Sequence, residues 1–143
     1  MAVPQRIEDF LISLSDDELR SLAAELSHAL GLQTAVPLTK LELILTEDCT
    51  FRCDYCFVEG KNSHRKMDWP MAKAGIDYLI SNSRDAEKLE ITLFGGEPLM
   101  EFGLIRRIVS YAEERQSETG KRIAWALTTN GMLIDEEKME FFA

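Results

Sequence analysis

The chain has 143 residues, of which 45% are hydrophobic and 29% charged, and this composition fits about one globular domain rather than a disordered segment. Its net charge of −9 argues against nucleic-acid and anionic membrane partners, because both favour clustered lysine and arginine. No apolar run approaches the roughly 20 residues that cross a bilayer, and the N-terminal sequence lacks the layout of a secretion signal.

Residues 1–37 are predicted to form a helical N-terminal segment. Ser15 and Glu18 give the S-x-x-E pattern of a capping box, in which each side chain bonds the other residue's free backbone amide. We expect the capped helix to end at Gly31 and its apolar stripe to pack against a core or a partner. Hydrophobic residues recur at helical spacing before and after the cap: Ile7, Phe10, Leu11, Leu14, Leu19, Leu22, Ala23, Leu26 and Leu30.

A second domain, residues 38–143, shows alternating strand and helix patterns. Asp68 is expected to cap its first helix, with Pro70 in the first turn, and Gly120 lies just past the end of its second helix. This alternation predicts an α/β fold built from parallel βα repeats. The predicted strands cover residues 40–46, 88–94 and 122–128, and the predicted helices cover 68–81, 101–118 and a last segment that begins at 135.

Each predicted strand is followed by a distinctive loop. The first loop holds all three cysteines, the second reads Gly-Gly-Glu-Pro at residues 95–98, and the third reads Thr-Asn-Gly at residues 129–131. The carboxyl ends of parallel strands meet at one edge of a sheet, and such folds build their sites there. We therefore expect the three loops to lie close together.

The cysteines Cys49, Cys53 and Cys56 have the spacing C-x3-C-x2-C. Thiolates suit zinc and iron–sulfur centres, and a tight cysteine group without an export signal favours a reducing cytoplasm over a disulfide framework. A structural zinc site needs four ligands, and His64 as the fourth gives a spacing unlike the common zinc fingers. A ferredoxin-type carrier needs a fourth cysteine for each cluster. The pattern favours a cluster with one open iron over zinc or unrelated buried cysteines.

The Gly-Gly-Glu-Pro sequence, taken alone, is more often a tight turn with a solvated glutamate. Consecutive glycines also permit a ligand to approach the backbone closely. The Glu97 carboxylate is a group that accepts hydrogen bonds from a cationic amine. Its place at the end of the strand that neighbours the cysteine loop favours a ligand site over a simple turn.

Together these motifs resemble those of the radical S-adenosylmethionine (radical SAM) enzymes. The resemblance rests on Cys49, Cys53 and Cys56, with Tyr55 before the last cysteine, and on Gly-Gly-Glu-Pro at residues 95–98. It implies that the cysteines hold a 4Fe–4S cluster whose open iron chelates the amino and carboxylate groups of S-adenosylmethionine. It also implies that the reduced cluster cleaves the sulfonium to a 5′-deoxyadenosyl radical, which takes a hydrogen atom from substrate.

The resemblance implies further roles at the same edge. Gly95, Gly96 and Glu97 are expected to line the pocket for the methionine amine, and Tyr55 is expected to lie near the adenine. Asn130 is a further candidate for contact with the cofactor, although an Asn-Gly turn is the commoner role of such a residue. A reductant such as flavodoxin or ferredoxin is the expected electron donor.

Within the superfamily, the chain most resembles the peptide-modifying branch, which often carries a C-terminal SPASM or twitch extension. That branch includes peptide maturases and anaerobic sulfatase-maturating enzymes, and the likeness rests on residues 94–99 and 128–131. It implies a peptide or protein substrate that is modified after translation. The alternative is a non-catalytic remnant or metal-binding module that keeps only the cysteine loop.

The superfamily's core is a partial (β/α)6 TIM-like barrel, and the resemblance covers residues 40–143, which show about three βα units. We therefore expect about half of such a barrel, preceded by the helical N-terminal segment. A chain of this kind is expected to be a fragment of a longer enzyme or a truncated gene product, with little activity alone.

Overall fold

A computed structural model describes residues 14–30, 36–56 and 63–143 of the chain. Clustering of its contacts divides the chain into two compact units, Met1–Val36 and Pro37–Ala143. No helix in the described ranges is both long enough and apolar enough to cross a membrane.

The described part of the first unit is one helix, α1 (Asp16–Ala29). The predicted capping box at its start is confirmed: the Ser15 hydroxyl accepts a hydrogen bond from the Glu18 amide at 3.4 Å, and the Glu18 carboxylate accepts one from the Ser15 amide at 2.8 Å. The predicted apolar positions Ile7, Phe10 and Leu11 and the predicted stop at Gly31 lie outside the described residues.

The second unit contains a three-stranded sheet, made of β1 (Lys40–Thr46), β2 (Lys88–Gly95) and β3 (Arg122–Leu127). The strand order is β1-β2-β3, and both pairings are parallel, as the sequence predicts. In register, Leu43 pairs with Leu93, which in turn pairs with Leu127. All three strands therefore end at the same edge.

A helix follows each strand, and the cap predicted at Asp68 is confirmed. α2 (Trp69–Asn82) starts where the Asp68 carboxylate accepts a hydrogen bond from the Met71 amide at 2.9 Å, with Pro70 in its first turn. α3 (Phe102–Thr119) ends at Gly120, whose φ of 70° is the left-handed conformation that favours glycine. α4 (Glu136–Phe142) starts at the cap residue Asp135.

A short 3-10 helix, Pro98–Glu101, precedes α3 and was not predicted. Helical structure thus begins at Pro98, before the predicted start at residue 101. The Glu97 carboxylate accepts a hydrogen bond from the Leu99 amide at 2.9 Å, and proline tolerates the first position of a helix. The second loop is consequently short and held close to the sheet edge.

One face of the sheet is covered by α2 and α3. Alternate strand residues point into this core, since successive strand side chains point to opposite faces. On β1 the opposite face carries Glu42 and Ile44, both exposed. The buried core consists of Leu43, Leu45, Leu89, Ile91, Leu93 and Ile123 from the strands, Leu99 from the 3-10 helix, and Ala72, Ile76, Leu79, Ile80, Ile105, Ile108 and Ala112 from the α-helices.

A polar contact joins the outer parts of α2 and α3. Asp77 accepts hydrogen bonds from the Tyr111 hydroxyl at 2.6 Å and from the Lys73 ammonium at 2.8 Å. Trp69 is half-buried, and its ring packs edge-on against Tyr111 with 5.6 Å between centroids.

Candidate cofactor site at the carboxyl edge of the sheet

The three loops converge on one cavity of about 270 Å³ at the carboxyl edge of the sheet, as the topology predicts. This volume lies near the lower end of the range for small-molecule sites, about 300–1,000 Å³. Phe51 and Phe94 contribute apolar wall. Among the residues singled out from the sequence, those that line the cavity are Cys49, Cys53, Tyr55, Cys56, Gly95, Gly96 and Asn130.

The cysteine loop is organised by Asp48, which immediately precedes the first cysteine. Its amide donates to the Thr46 hydroxyl at 3.1 Å, and its carboxylate accepts a hydrogen bond from the Cys49 amide at 2.8 Å. The other carboxylate oxygen lies 2.8 Å from the His64 ring. The hydrogen bond with His64, followed by the one from the Cys49 amide, lowers the pKa of Asp48. The ionised carboxylate thereby fixes the entry to the loop.

Two further side chains, those of His64 and Arg52, contact this loop. The ring Nδ1 of His64, which was considered as a fourth zinc ligand, lies 2.8 Å from the Asp48 carboxylate. Arg52 was not predicted as a site residue from the sequence. Its guanidinium donates to the backbone carbonyls of Cys49 and Phe51 and so stabilises the first turn of the loop. A lone arginine among cysteines carries no distinctive spacing signal.

None of the three cysteines forms a disulfide bond: Cys49 and Cys53 are half-buried, and Cys56 is exposed. Tyr55 is 91% exposed, and a hydrogen bond with the Cys53 side chain raises the pKa of its phenol. Within the described ranges, no three side chains of histidine, cysteine, aspartate or glutamate form a ligand set for one metal ion. A polynuclear cluster binds its thiolates on separate iron atoms, so its ligands need not converge on one position.

The two glycines of the second loop are where β2 touches the cysteine loop. The Gly96 amide donates to the Thr46 carbonyl and the Glu97 amide donates to the Asp48 carbonyl, each at 2.8 Å. A Cβ atom on Gly96 would lie 2.1 Å from the Asp48 carbonyl oxygen, and Gly95 has a φ of 140°. Both positions therefore require glycine to let the backbones meet, which adds a structural role to the predicted cofactor contact.

Glu97 has a different place from its neighbours. It is fully buried, with one carboxylate oxygen accepting from the Leu99 amide at 2.9 Å and the Thr129 hydroxyl at 2.8 Å. The other oxygen accepts from the Asn130 amide at 2.9 Å. The carboxylate thus ties the second loop to the third, and its predicted contact with an amine stays a prediction.

Asn130 connects the third loop to the first. Its side-chain amide nitrogen donates to the Thr50 hydroxyl at 2.9 Å and lies 3.6 Å from the Cys49 sulfur. Its side-chain oxygen accepts from the Met132 amide at 2.9 Å. Asn130 therefore forms the Asn-Gly turn expected from the sequence and also bonds the cysteine loop, and its contact with the cofactor stays a prediction.

A family model described as the radical SAM superfamily matches residues 43–143. The chain belongs to the radical SAM superfamily, and the recognition made from the cysteine and Gly-Gly-Glu-Pro motifs is confirmed. Members of this superfamily are enzymes that use a 4Fe–4S cluster and S-adenosylmethionine, which are the two cofactors expected from the sequence.

Two curated relatives match part of the chain. The chain is 38% identical over 100 residues to an uncharacterized protein of Methanocaldococcus jannaschii, a match that covers 70% of this chain and 33% of the relative. It is 33% identical over 95 residues to a probable GTP 3′,8-cyclase of Methanococcus maripaludis, covering 66% of this chain and 29% of that one. The chain thus spans about a third of the length of these relatives.

A solved structure of an anaerobic sulfatase-maturating enzyme, with bound AdoMet and a peptide, has the same fold over 74% of this chain and 28% of its own. The TM-score is 0.61 at 22% sequence identity. The predicted fold class is confirmed: parallel βα repeats that form about half of a partial (β/α)6 barrel.

Proposed function

We propose that this chain provides the cluster-binding part of a radical SAM enzyme that abstracts hydrogen from a peptide or protein side chain. The observation that carries the proposal is the convergence of three cysteine thiols and two close-packed glycines on one cavity. Because the chain spans about a third of its relatives, the substrate and the complete reaction belong to the proposal.

The residues present fit a 4Fe–4S cluster. Three soft thiol ligands lie on one loop that lines the cavity, and Cys49 and Cys53 are half-buried there. Cys49, Cys53 and Cys56 would each hold one iron, which leaves the fourth iron for S-adenosylmethionine. When bound, the cluster supplies the electron that cleaves S-adenosylmethionine to the radical that abstracts hydrogen.

The chain's own residues position and shield these groups. Gly95 and Gly96 present bare backbone to the cavity, so a ligand's amine can approach without meeting a side chain. Phe51 and Phe94 supply apolar wall that excludes water from the reacting groups. Tyr55, at the exposed rim, would make the adenine contact that the superfamily resemblance implies.

A peptide or protein is the proposed substrate class. The fold is shared with a sulfatase-maturating enzyme solved with a peptide, and the sequence of residues 94–99 and 128–131 resembles that branch. The 33% identity to a probable GTP 3′,8-cyclase favours a nucleotide as the second candidate. We propose a reducing cytoplasm as the location and flavodoxin or ferredoxin as the electron donor.

Anaerobic reconstitution of the chain with iron and sulfide tests the proposal. The expected result is about four irons per chain with matching acid-labile sulfide, the content of one 4Fe–4S cluster. One zinc per chain without sulfide would instead support a metal-binding module that lacks the chemistry. Because the chain is expected to have little activity alone, binding of a cysteine-containing peptide or of GTP to the reconstituted chain with S-adenosylmethionine, measured by calorimetry, then separates the two substrate classes.

A further inference from the structure

We propose that Asn130 is a positioning residue that donates a hydrogen bond to the Cys49 sulfur and thereby raises the reduction potential of the cluster held by the cysteine loop. This inference rests on the proposed function, because it assigns Cys49 as a cluster ligand. It gives the Thr-Asn-Gly loop, which follows a different strand, a direct influence on electron transfer.

The orientation of the Asn130 amide is set by its partners. Its side-chain oxygen accepts from the Met132 backbone amide at 2.9 Å, and a backbone N–H can only donate. The side-chain nitrogen must therefore face the cysteine loop. Its two hydrogens have two acceptors there, the Thr50 hydroxyl at 2.9 Å and the Cys49 sulfur at 3.6 Å. Exchanging oxygen and nitrogen would break the Met132 bond and turn an oxygen lone pair toward the thiolate.

The backbone of Asn130 is also held in place. Its amide donates to the fully buried Glu97 carboxylate at 2.9 Å, and the other oxygen of that carboxylate accepts from Thr129. The Thr129 hydroxyl in turn accepts from the Gly131 amide at 3.0 Å. A side chain fixed on both sides loses little further entropy when it donates to sulfur, so the N–H group is preorganised for the thiolate.

The sign of the effect follows from charge. Reduction adds one electron to the cluster and increases the negative charge on its thiolate sulfurs, and no bond is made or broken. A hydrogen-bond donor stabilises the more negative state more strongly than the oxidised one, and hydrogen bonds to the sulfurs are among the factors that set cluster potentials. The Asn130 donor therefore makes the cluster easier to reduce.

The test is an anaerobic redox titration of the reconstituted 143-residue chain, followed by electron paramagnetic resonance of the reduced cluster, with iron and sulfide content measured on each sample. Asn130→Ala removes the donor and is expected to shift the midpoint potential to a more negative value. Asn130→Asp keeps the shape and the oxygen for Met132 but replaces the donor with a negative oxygen, and its shift is expected to be larger in the same direction. Asn82→Ala, an exposed asparagine at the end of α2 and outside the cysteine loop, is the matched control and is expected to keep the wild-type potential.

An unchanged potential in Asn130→Ala at full iron content would overturn the inference. If that variant loses iron, the similarly shaped and uncharged Asn130→Leu decides: a potential more negative than wild type supports the role, and an equal or higher potential overturns it. A wild-type chain that binds no cluster overturns the proposed function itself, and that failure is seen in the iron and sulfide content before any potential is measured.

Discussion

The buried carboxylate of Glu97 accepts a hydrogen bond from the Asn130 backbone amide at 2.9 Å, across 33 residues of sequence. This bond joins the loop after β2 to the loop after β3. With the bonds from Leu99 and Thr129, it uses both carboxylate oxygens on donors of the chain itself. The residue expected to receive a ligand's amine is therefore also the tie between two walls of the cavity.

The substitution Glu97→Gln tests this tie. A glutamine can keep one accepting oxygen, but its NH2 group must then face a backbone or hydroxyl donor, and a buried donor is left unsatisfied. We expect a loss of about 1–3 kcal/mol in the free energy of unfolding, measured by urea denaturation. Glu140→Gln, at an exposed position of α4, is the control and should stay within about 0.5 kcal/mol of wild type. Equal stability of Glu97→Gln and the control would show that the buried bonds contribute little.

Gly96→Ala tests the contact between β2 and the cysteine loop. The added Cβ would lie 2.1 Å from the Asp48 carbonyl oxygen, so the loop must move. We expect a destabilisation of at least about 1–3 kcal/mol, the usual cost of overpacking, together with reduced iron content after reconstitution.

The control for that substitution is Gly103→Ala in α3. No atom lies within 4 Å of its added Cβ, and alanine is favoured over glycine in a helix by about 0.5–1 kcal/mol. It should be as stable as wild type or more so, with unchanged iron content. Full iron loading by Gly96→Ala would mean that the close approach of the backbones is not needed for the site.

Cys53→Ala tests the assignment of the cluster ligands. Cys53 is half-buried and lies in the middle of the three-cysteine loop. Because three thiolates are needed to hold three irons, the variant is expected to lose the iron–sulfur absorbance after reconstitution while its far-ultraviolet circular dichroism stays that of the wild-type chain. Wild-type absorbance in the variant would remove Cys53 from the ligand set.

The Asp77 contact predicts a pH dependence of stability. Partial burial alone would raise the pKa of Asp77, but hydrogen bonds from Lys73 and Tyr111 outweigh it, so the folded-state pKa is lowered. Its contribution is therefore fully present above the unfolded pKa of about 3.9 and is lost as the pH falls through the folded value. Asp77→Asn should lower the melting temperature at pH 7, and its difference from wild type should shrink as the pH falls toward 3.

Tyr111→Phe is the companion variant for that experiment, because it removes the 2.6 Å bond to Asp77 and leaves the Lys73 bond in place. At pH 7 its melting temperature should lie between those of wild type and Asp77→Asn. A difference between Asp77→Asn and wild type that is the same at pH 7 and pH 3 would contradict a role for the ionised carboxylate.

The parts of the fold that depend on neighbouring residues were predictable from the sequence. Asp68 and Asp135 cap helices, and Gly120 ends one, because caps act over three or four residues. The parallel sheet follows from the alternation of strands and helices. The cysteine and Gly-Gly-Glu-Pro motifs gave the superfamily, and the topology then placed both at one sheet edge.

The contacts that shape the cavity were not predictable, because they depend on the register between distant strands. Gly96 meets Asp48 only because β1 and β2 pair as they do, and no local pattern around either residue records that approach. The burial of Glu97 depends likewise on donors that follow β3. A glutamate beside glycines in a loop suggests a solvent-facing carboxylate until those donors are in place.

The partners of the cysteine loop arrive late during synthesis of the chain. Cys49 leaves the ribosome before the Gly-Gly-Glu-Pro loop, whose Glu97 amide donates to the Asp48 carbonyl. It also leaves 81 residues before Asn130, whose side chain approaches the Cys49 sulfur. At the usual rate of about 5–20 residues per second, that interval lasts roughly 4–16 seconds. Throughout it the thiols are present without the walls that hold them, so the nascent chain passes through a period in which its cysteines are open to oxidants and stray metal ions.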